Sequence, residues 1–265
     1  MRNIFISFSG GESSALLLLR CLDQYKQDNI LVCFANTGDE DEETLKFVKK
    51  TQDFYFIKIY WLEAYVSPLK GKGVMPVIVD FETASRDGKP LLDQAAKLGK
   101  SAITSPHCTR DLKVIIMHKF AKAYFRGEGY TTMQGIRFDE PTRINWHTAK
   151  EKGWDYPLAR WRITKPYVNN FWKRHEKEKG FRLNLKPNEG NCRLCFKKSE
   201  KKLIELIRAK PCLVLFRMTM ELVTENDKHD MYRKNRSIFD LLEIAKDKEV
   251  KSGQLDLFGG ACFCS

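Results

Sequence analysis

The chain has 265 residues, of which 43% are apolar, 12% aromatic and 30% charged, and its formal charge is +12. That composition buries a sizeable core in one large domain or one and a half, and it excludes a disordered or fibrous chain. No apolar run approaches the roughly 20 residues of a membrane-spanning helix, and Gly10, Gly11, Glu12, Ser13 and Ser14 interrupt what would be the core of a signal peptide. No membrane partner and a cytoplasmic location are therefore expected, and in that compartment eight cysteines point to metal, catalysis or burial before disulfides.

The first hundred residues are close to neutral, and the remainder carries the positive excess. That asymmetry suits a nucleotide-binding core facing a polyanion or a phosphate-rich ligand, and equally a lysine-rich solvated surface.

In chain order the opening reads β-α-β-α-β. Asn3–Phe8 is a short apolar strand and Ser9–Gly11 a turn. Glu12–Tyr25 places Ala15, Leu18, Leu19 and Leu22 on one helical face. Ile30–Ala35 is a strand, Glu42–Thr51 a helix and Tyr55–Trp61 a third strand. Alternation of this kind predicts an α/β fold with a Rossmann-like parallel sheet and ligands at the carboxyl ends of its strands. A Gly/Lys loop (Gly71–Gly73), a strand at Val77–Phe81 and a helix at Leu91–Leu98 come next. One helix is expected from Arg110 to Phe125, then a strand at Tyr130–Gly135 leading into the loop Ile136–Arg143. Residues 146–190 mix short elements with a helix at Pro166–Glu178. The last third is helical at Ser199–Ala209, Leu213–Thr224 and Ser237–Lys246. The expected organisation is a nucleotide-binding domain over 1–200, a helical region over 201–258 and a flexible Cys-containing tail over 259–265.

Two strand ends carry chemistry. Ser9-Gly10-Gly11-Glu12-Ser13-Ser14 sits at a strand-to-helix junction, where glycines let backbone amides approach a phosphate and the helix N-terminus faces the anion. Read alone, such a segment is a turn; neither a P-loop nor a dinucleotide glycine motif occurs in the chain. Asn36-Thr37-Gly38 follows the second strand, ahead of Asp39–Glu43, whose acids also suit an ordinary helix start.

Taken with Phe34–Gly38, Glu40, Glu43 and Thr44, the first motif begins an ordered series. It continues through Pro106-His107-Cys108-Thr109-Arg110-Asp111-Leu112-Lys113, Gly135-Ile136-Arg137 with Asp139, Glu140 and Arg143, Tyr156-Pro157-Leu158, and Gly190-Asn191-Cys192-Arg193-Leu194-Cys195-Phe196-Lys197-Lys198-Ser199. Over about residues 2–205 the chain resembles the phosphoadenosine phosphosulfate (PAPS) reductase-like family of adenine nucleotide α-hydrolases, within the PP-loop ATP pyrophosphatase superfamily. The resemblance implies an enzyme of sulfur metabolism that binds ATP or PAPS and acts at the α-phosphate region. By the same analogy Ser9, Gly10, Gly11, Ser13 and Ser14 hold phosphates and Ala35, Asn36, Thr37 and Gly38 line the adenosine. Arg110, Lys113, Arg137 and Arg143 are the candidate clamps on phosphate or sulfate, with Lys113, Arg137 and Arg143 as catalytic candidates. Arginine suits that task through its paired donors. Asp139 and Glu140 either hold Mg²⁺ or pair with their arginine neighbours. The pyrophosphatase consensus is Ser-Gly-Gly-x-Asp-Ser, whereas here Glu12 and Ser13 occupy the positions after the glycines. Sulfonucleotide reductases usually lack the Ser-Gly-Gly turn, which favours ATP cleavage between the α- and β-phosphates.

Cys192 and Cys195 form C-x-x-C among Arg193, Lys197 and Lys198. With Cys108 they make three ligands of a [4Fe–4S] cluster, with Cys262 or Cys264 as a fourth; zinc, with His107 available, is the competitor, and a metal-free dithiol is the third alternative. Cys264 on a Gly-rich tail is the candidate nucleophile towards sulfur, as in the sulfonucleotide reductases, and Cys21, Cys33 and Cys212 are expected core residues. The two reaction classes imply different partners. A reductase draws on a thioredoxin-type donor, and an adenylating enzyme serves a nucleic-acid acceptor with sulfur from a cysteine desulfurase. A non-catalytic nucleic-acid-binding protein with a structural metal is the alternative of another class.

Overall fold

β1 (Asn3–Phe8) runs into α1 (Glu12–Gln24), β2 (Asn29–Ala35) into α2 (Glu42–Phe54), and β3 (Tyr60–Val66) turns back as β4 (Val74–Val79). The computed structural model describes residues 1–69, 71–224 and 231–247. α3 (Lys89–Leu98) is followed by one continuous helical rod made of α4 (His107–Thr109), a π-helical stretch (Arg110–Ile115) and α5 (Ile116–Tyr124). β5 (Thr131–Met133), α6 (Trp146–Lys152), β6 (Trp154–Asp155), α7 (Pro157–Arg160) and α8 (Lys165–Lys179) come next. The helices α9 (Glu200–Ala209), α10 (Leu213–Val223) and α11 (Ile238–Asp247) close the described chain.

The six strands lie in the order β4-β3-β2-β1-β5-β6. All neighbours are parallel except β3 and β4, whose antiparallel register pairs Trp61 with Val79 and Val66 with Val74. This is the Rossmann-like sheet expected from the sequence, with one antiparallel edge. Alternate residues feed two cores, as the strand period of two requires. Ile4, Ile6 and Phe8 join Val32, Phe34 and Trp61 against α1, α2 and α8. Phe5, Leu31, Cys33 and Leu62 face the other way, towards α3, the helical rod and the apolar faces of α9, α10 and α11. Strands apolar on both sides are what a sheet covered on both faces needs. The helices beyond residue 200 thus share a core with the sheet. Among the described residues no helix is long and apolar enough to cross a membrane.

Besides β5, shorter than expected at Thr131–Met133, and a helical rod that begins at His107 and not Arg110, three elements differ from expectation for local reasons. The third strand begins at Tyr60, because Tyr55 ends α2 and Phe56 takes a left-handed φ of 52° in the turn that follows. The fourth ends at Val79, because Asp80 Oδ1 accepts from both the backbone N–H and the hydroxyl of Thr83 and folds the chain into a turn. β6, only two residues long, is too short to show any periodicity.

Candidate functional site

The chain builds the sheet outward from β1 to β4 and then returns to place β5 on the opposite side of β1. The crevice of such a sheet opens at the carboxyl ends of the strands where the direction reverses. A cavity of about 530 Å³ lies there, walled by Ser9–Ser14 on one side and by Gly135, Arg137, Glu140 and Arg143 on the other.

The first wall is shaped by its glycines. Gly10 has a φ of 76°, and a Cβ on it would lie 2.7 Å from Thr44 Cγ2 and 3.1 Å from Phe34 Cε2. Gly10→Ala therefore combines a left-handed backbone penalty with a steric clash. A loss of about 2–4 kcal/mol is expected, read by urea denaturation against the wild type. Gly11 caps α1 without a side-chain hydrogen bond, leaving the first-turn N–H groups to whatever enters the crevice. Ser14 Oγ ties the loop, accepting from Ser9 Oγ at 2.9 Å and donating to the Gly11 carbonyl at 2.8 Å.

The second wall is cationic and held by its own acids. Arg137 NH1 lies 3.2 Å from Ser13 Oγ, while Arg137 Nε donates to Asp139 Oδ1 at 2.9 Å. Glu140 bridges Arg137 and Arg143, at 3.3 and 2.5 Å. Burial pushes the Glu140 carboxyl up, but the Arg137 backbone N–H and the Arg143 guanidinium outweigh it and leave the carboxyl below its ordinary value. Asp139 Oδ2 accepts from the Lys165 backbone N–H. The acidic pair is thus engaged by its arginine neighbours, the arrangement that competes with Mg²⁺ binding. Lys165 and His118 also line the crevice; neither stands in a motif that would have marked it.

The remaining candidates lie elsewhere. Lys113 and Val114 are adjacent on the helical rod yet face different spaces: Val114 lines the large crevice, whereas Lys113 lines a second cavity of about 30 Å³. That second cavity also receives Cys108 from the start of the rod, Cys192 and Cys195 from the segment before α9, and Thr37. Lys113 Nζ donates to Glu40 Oε1 at 2.8 Å and lies 3.7 Å from Cys192 Sγ, and Cys192 Sγ lies 3.5 Å from the same carboxylate oxygen. Burial drives the Cys192 thiol well above its ordinary pKa, against the pull of Lys113. Ala35 to Gly38 are buried and none lines the large crevice; Thr37 alone of the four lines this smaller cavity. The Asn36 amide donates to Glu63 and to the Ser85 carbonyl, and the Thr37 backbone N–H and hydroxyl both donate to Glu40. Arg110 lines neither cavity; its guanidinium forms a fork on Asp111, at 2.8 and 3.0 Å.

For a metal, the donor set is of the right kind: three thiols from two separate segments share one space, which suits soft ions. In the described arrangement no three His, Cys, Asp or Glu groups converge as a metal-holding set. The space is that of about one or two waters, so it is too small for a four-iron cluster unless the cysteine segment moves outward. Cys262 and Cys264 lie outside the described residues. Cys21 and Cys33 are fully buried as expected, and burial pushes the Cys21 thiol up to about 12. Cys212 stands, partly exposed, at the start of α10.

The wall of the second cavity includes a residue absent from every motif. Arg217, in the middle of α10, pairs with buried Asp39 and donates to the Arg193 carbonyl at 2.6 Å. Its signal in the sequence is a lone cation inside Leu213-Val214-Leu215-Phe216-Arg217-Met218.

Residues 3–74, which hold β1 through the start of β4, match the family model of the phosphoadenosine phosphosulfate reductase domain. Over that stretch the chain is similar to that family. The matched family belongs to the adenine nucleotide α-hydrolase superfamily, a nucleotide-related group of enzymes. The chain is also similar to the uncharacterized nin region protein ORF290 of Escherichia phage lambda. The two are 27% identical over 266 aligned positions, which cover 95% of this chain and 88% of the phage protein.

Proposed function

We propose that the chain is an adenine-nucleotide-dependent enzyme of sulfur metabolism that holds the phosphates of ATP or PAPS in the crevice between β1 and β5 and acts at the α-phosphate region. The observation that carries this reading is the meeting, across one 530 Å³ space, of the Ser9–Ser14 loop and the Arg137–Arg143 segment. First-turn N–H groups of α1 and the serine hydroxyls would bind phosphate oxygens, and Arg137 and Arg143 would offset the charge that builds up on them. In the adenylating reaction an acceptor oxygen attacks the α-phosphorus and the bond to pyrophosphate breaks. In the reducing reaction two electrons from a thiol donor release sulfite from PAPS. The Ser-Gly-Gly turn at the head of α1 favours the first, with a nucleic acid as the acceptor that the basic remainder of the chain suits.

Titration calorimetry with ATP and with PAPS, followed by assays of pyrophosphate and sulfite release, tests the proposal. Binding of either nucleotide, weakened by Arg137→Ala, supports it; a folded protein that binds neither overturns it. Salt-sensitive binding to DNA or RNA without nucleotide turnover would instead favour a non-catalytic nucleic-acid-binding protein.

The second part of the proposal concerns the cysteine cavity. Cys108, Cys192 and Cys195 would hold zinc or, with the cysteine segment moved outward, an iron–sulfur cluster; what supports this is that the three thiols line one space with Lys113 and Arg217 as cations beside them. Cluster iron would supply redox or sulfur-binding chemistry; zinc would brace the segment before α9. After anaerobic purification, zinc of about one per chain and no sulfide identifies the single ion, while roughly four irons with four sulfides identify the cluster. Either is expected to fall to background in Cys192→Ala. Absence of both from the wild type overturns the metal and leaves a dithiol.

A further inference from the structure

Asn191 and Cys192 are consecutive residues that face the two different cavities. Asn191 lines the large crevice, and its Nδ2 donates to the Ser9 carbonyl at 2.7 Å. It stands so close to the phosphate loop that a Cβ on Gly11 would lie 3.2 Å from the same nitrogen. Cys192 lines the small cavity beside Lys113. Their backbone is fixed to the loop after β2 at three successive points. The Asp41 N–H donates to the Asn191 carbonyl at 2.8 Å, Cys192 pairs with Glu40 as an isolated antiparallel bridge, and the Arg193 N–H donates to the Asp39 carbonyl at 3.0 Å. Arg193 adds side-chain donation to the carbonyls of Gly38 and Arg86. The strap 191–193 is therefore anchored to the β2 end by its backbone and touches the β1 end through one amide group.

We propose that Asn191 is a positioning residue that couples the cysteine cavity to the phosphate loop: a shift of Cys192 moves Ser9 through the Asn191 amide, and a ligand on the loop holds Cys192 in place. The proposal rests on the reading that a nucleotide's phosphates bind the Ser9–Ser14 loop. Coupling of this kind is reciprocal, so it can be read from the cysteine side. The strap has no other hydrogen bond to that loop among the described residues, so removing the Nδ2 donor uncouples the two sites without dismantling either.

The test uses the full chain and measures alkylation of Cys192 by iodoacetamide, followed by mass spectrometry with and without saturating ATP. In the wild type, ATP is expected to slow alkylation of Cys192 by about tenfold, the scale of one well-made polar contact. In Asn191→Asp, which keeps the size and loses the donor, ATP still binds at higher concentration but the protection falls to within about twofold of none. Asn191→Gln, which keeps an amide donor, restores part of it. A general loosening of the fold would expose Cys21 and Cys33, which are fully buried and serve as internal controls. If Asn191→Asp alkylates those two faster, Asn191→Ala, which removes the donor without adding a carboxylate, answers in its place. Full protection retained in the donor-less variant overturns the proposal, as does a wild type that binds ATP with no change at Cys192. A wild type that binds no nucleotide fails the underlying reading instead, and the binding isotherm shows this separately.

Discussion

Arg217→Met is expected to destabilise the protein by about 3–5 kcal/mol at pH 8, the usual cost of leaving a buried charge without its partner. Arg217 comes from α10 and Asp39 from the loop after β2; both side chains are under a tenth exposed. Burial pushes the Asp39 carboxyl up to about 6, against the pull of Arg217 and then Arg193. Without Arg217 the main opposing cation is gone and the carboxyl titrates higher still. A carboxyl whose folded pKa exceeds its unfolded value favours the fold while protonated. That stability is fully present below the unfolded value and is lost as pH rises to the folded one. The deficit of Arg217→Met relative to wild type should therefore be smaller at pH 5 than at pH 8. Urea denaturation at the two pH values checks the sign. Asp39→Asn in the same chain should recover part of the loss, because no naked carboxylate remains. A deficit that is equal at both pH values, or larger at pH 5, would mean that Asp39 does not carry the effect.

That ion pair also explains why the last helices belong to the site. α10 supplies Arg217 and Met220 to the wall of the cysteine cavity, Cys192 reaches it from the strap, and Asp39, paired also with Arg193 of the strap, reaches it from the loop after β2. Three segments distant in sequence are fixed by one buried carboxylate. Gly88 shows how closely α10 is seated: a Cβ there would fall 2.2 Å from Phe216 Cζ.

How much of this was legible in the sequence follows from how local each feature is. The β1–turn–α1 opening could be read because an apolar run, a Gly pair and a helical stripe follow one another within Asn3 to Gln24. Arg137 and Arg143 stand out only through the family resemblance; that they lie opposite Ser9–Ser14 follows from β5 lying beside β1, which the sequence did not show. The division into two cavities could not be read. Lys113 and Val114 differ by one residue, and which cavity each faces depends on the π-helical stretch that rotates the rod. Nor could the sequence show that Asn36 and Thr37 turn inward, because their partners Glu63, Ser85 and Glu40 include two that are decades of residues away. Arg217 was visible only as an oddity, a cation in an apolar helix whose partner lies 178 residues earlier.

Arg137→Ala should lower kcat/KM for the nucleotide substrate by about 10²–10³-fold, the range for removing one preorganised donor from a developing oxyanion. The expectation rests on how Arg137 is held. Its side chain is 18% exposed, Nε is fixed by Asp139, NH1 lies between Glu140 and Ser13, and the crevice is in front of it. Such a guanidinium needs little reorganisation to meet a phosphate. Arg143 is 60% exposed and anchored only by Glu140 among the described contacts, so Arg143→Ala should cost less, about tenfold. Arg137→Lys separates charge from geometry: an ammonium keeps the charge but cannot hold Asp139 and face Ser13 with one planar fork. It should therefore recover only a minor share of the loss. Arg143→Ala, at an exposed side chain, should stay within about 1 kcal/mol of wild-type stability, whereas Arg137→Ala also loses a mostly buried stem and should cost about 1–2 kcal/mol. A loss of kcat/KM below about threefold in Arg137→Ala would move the phosphate site away from this wall of the crevice. Wild-type nucleotide affinity alongside a large fall in kcat would mean that Arg137 acts in the transition state and not in binding.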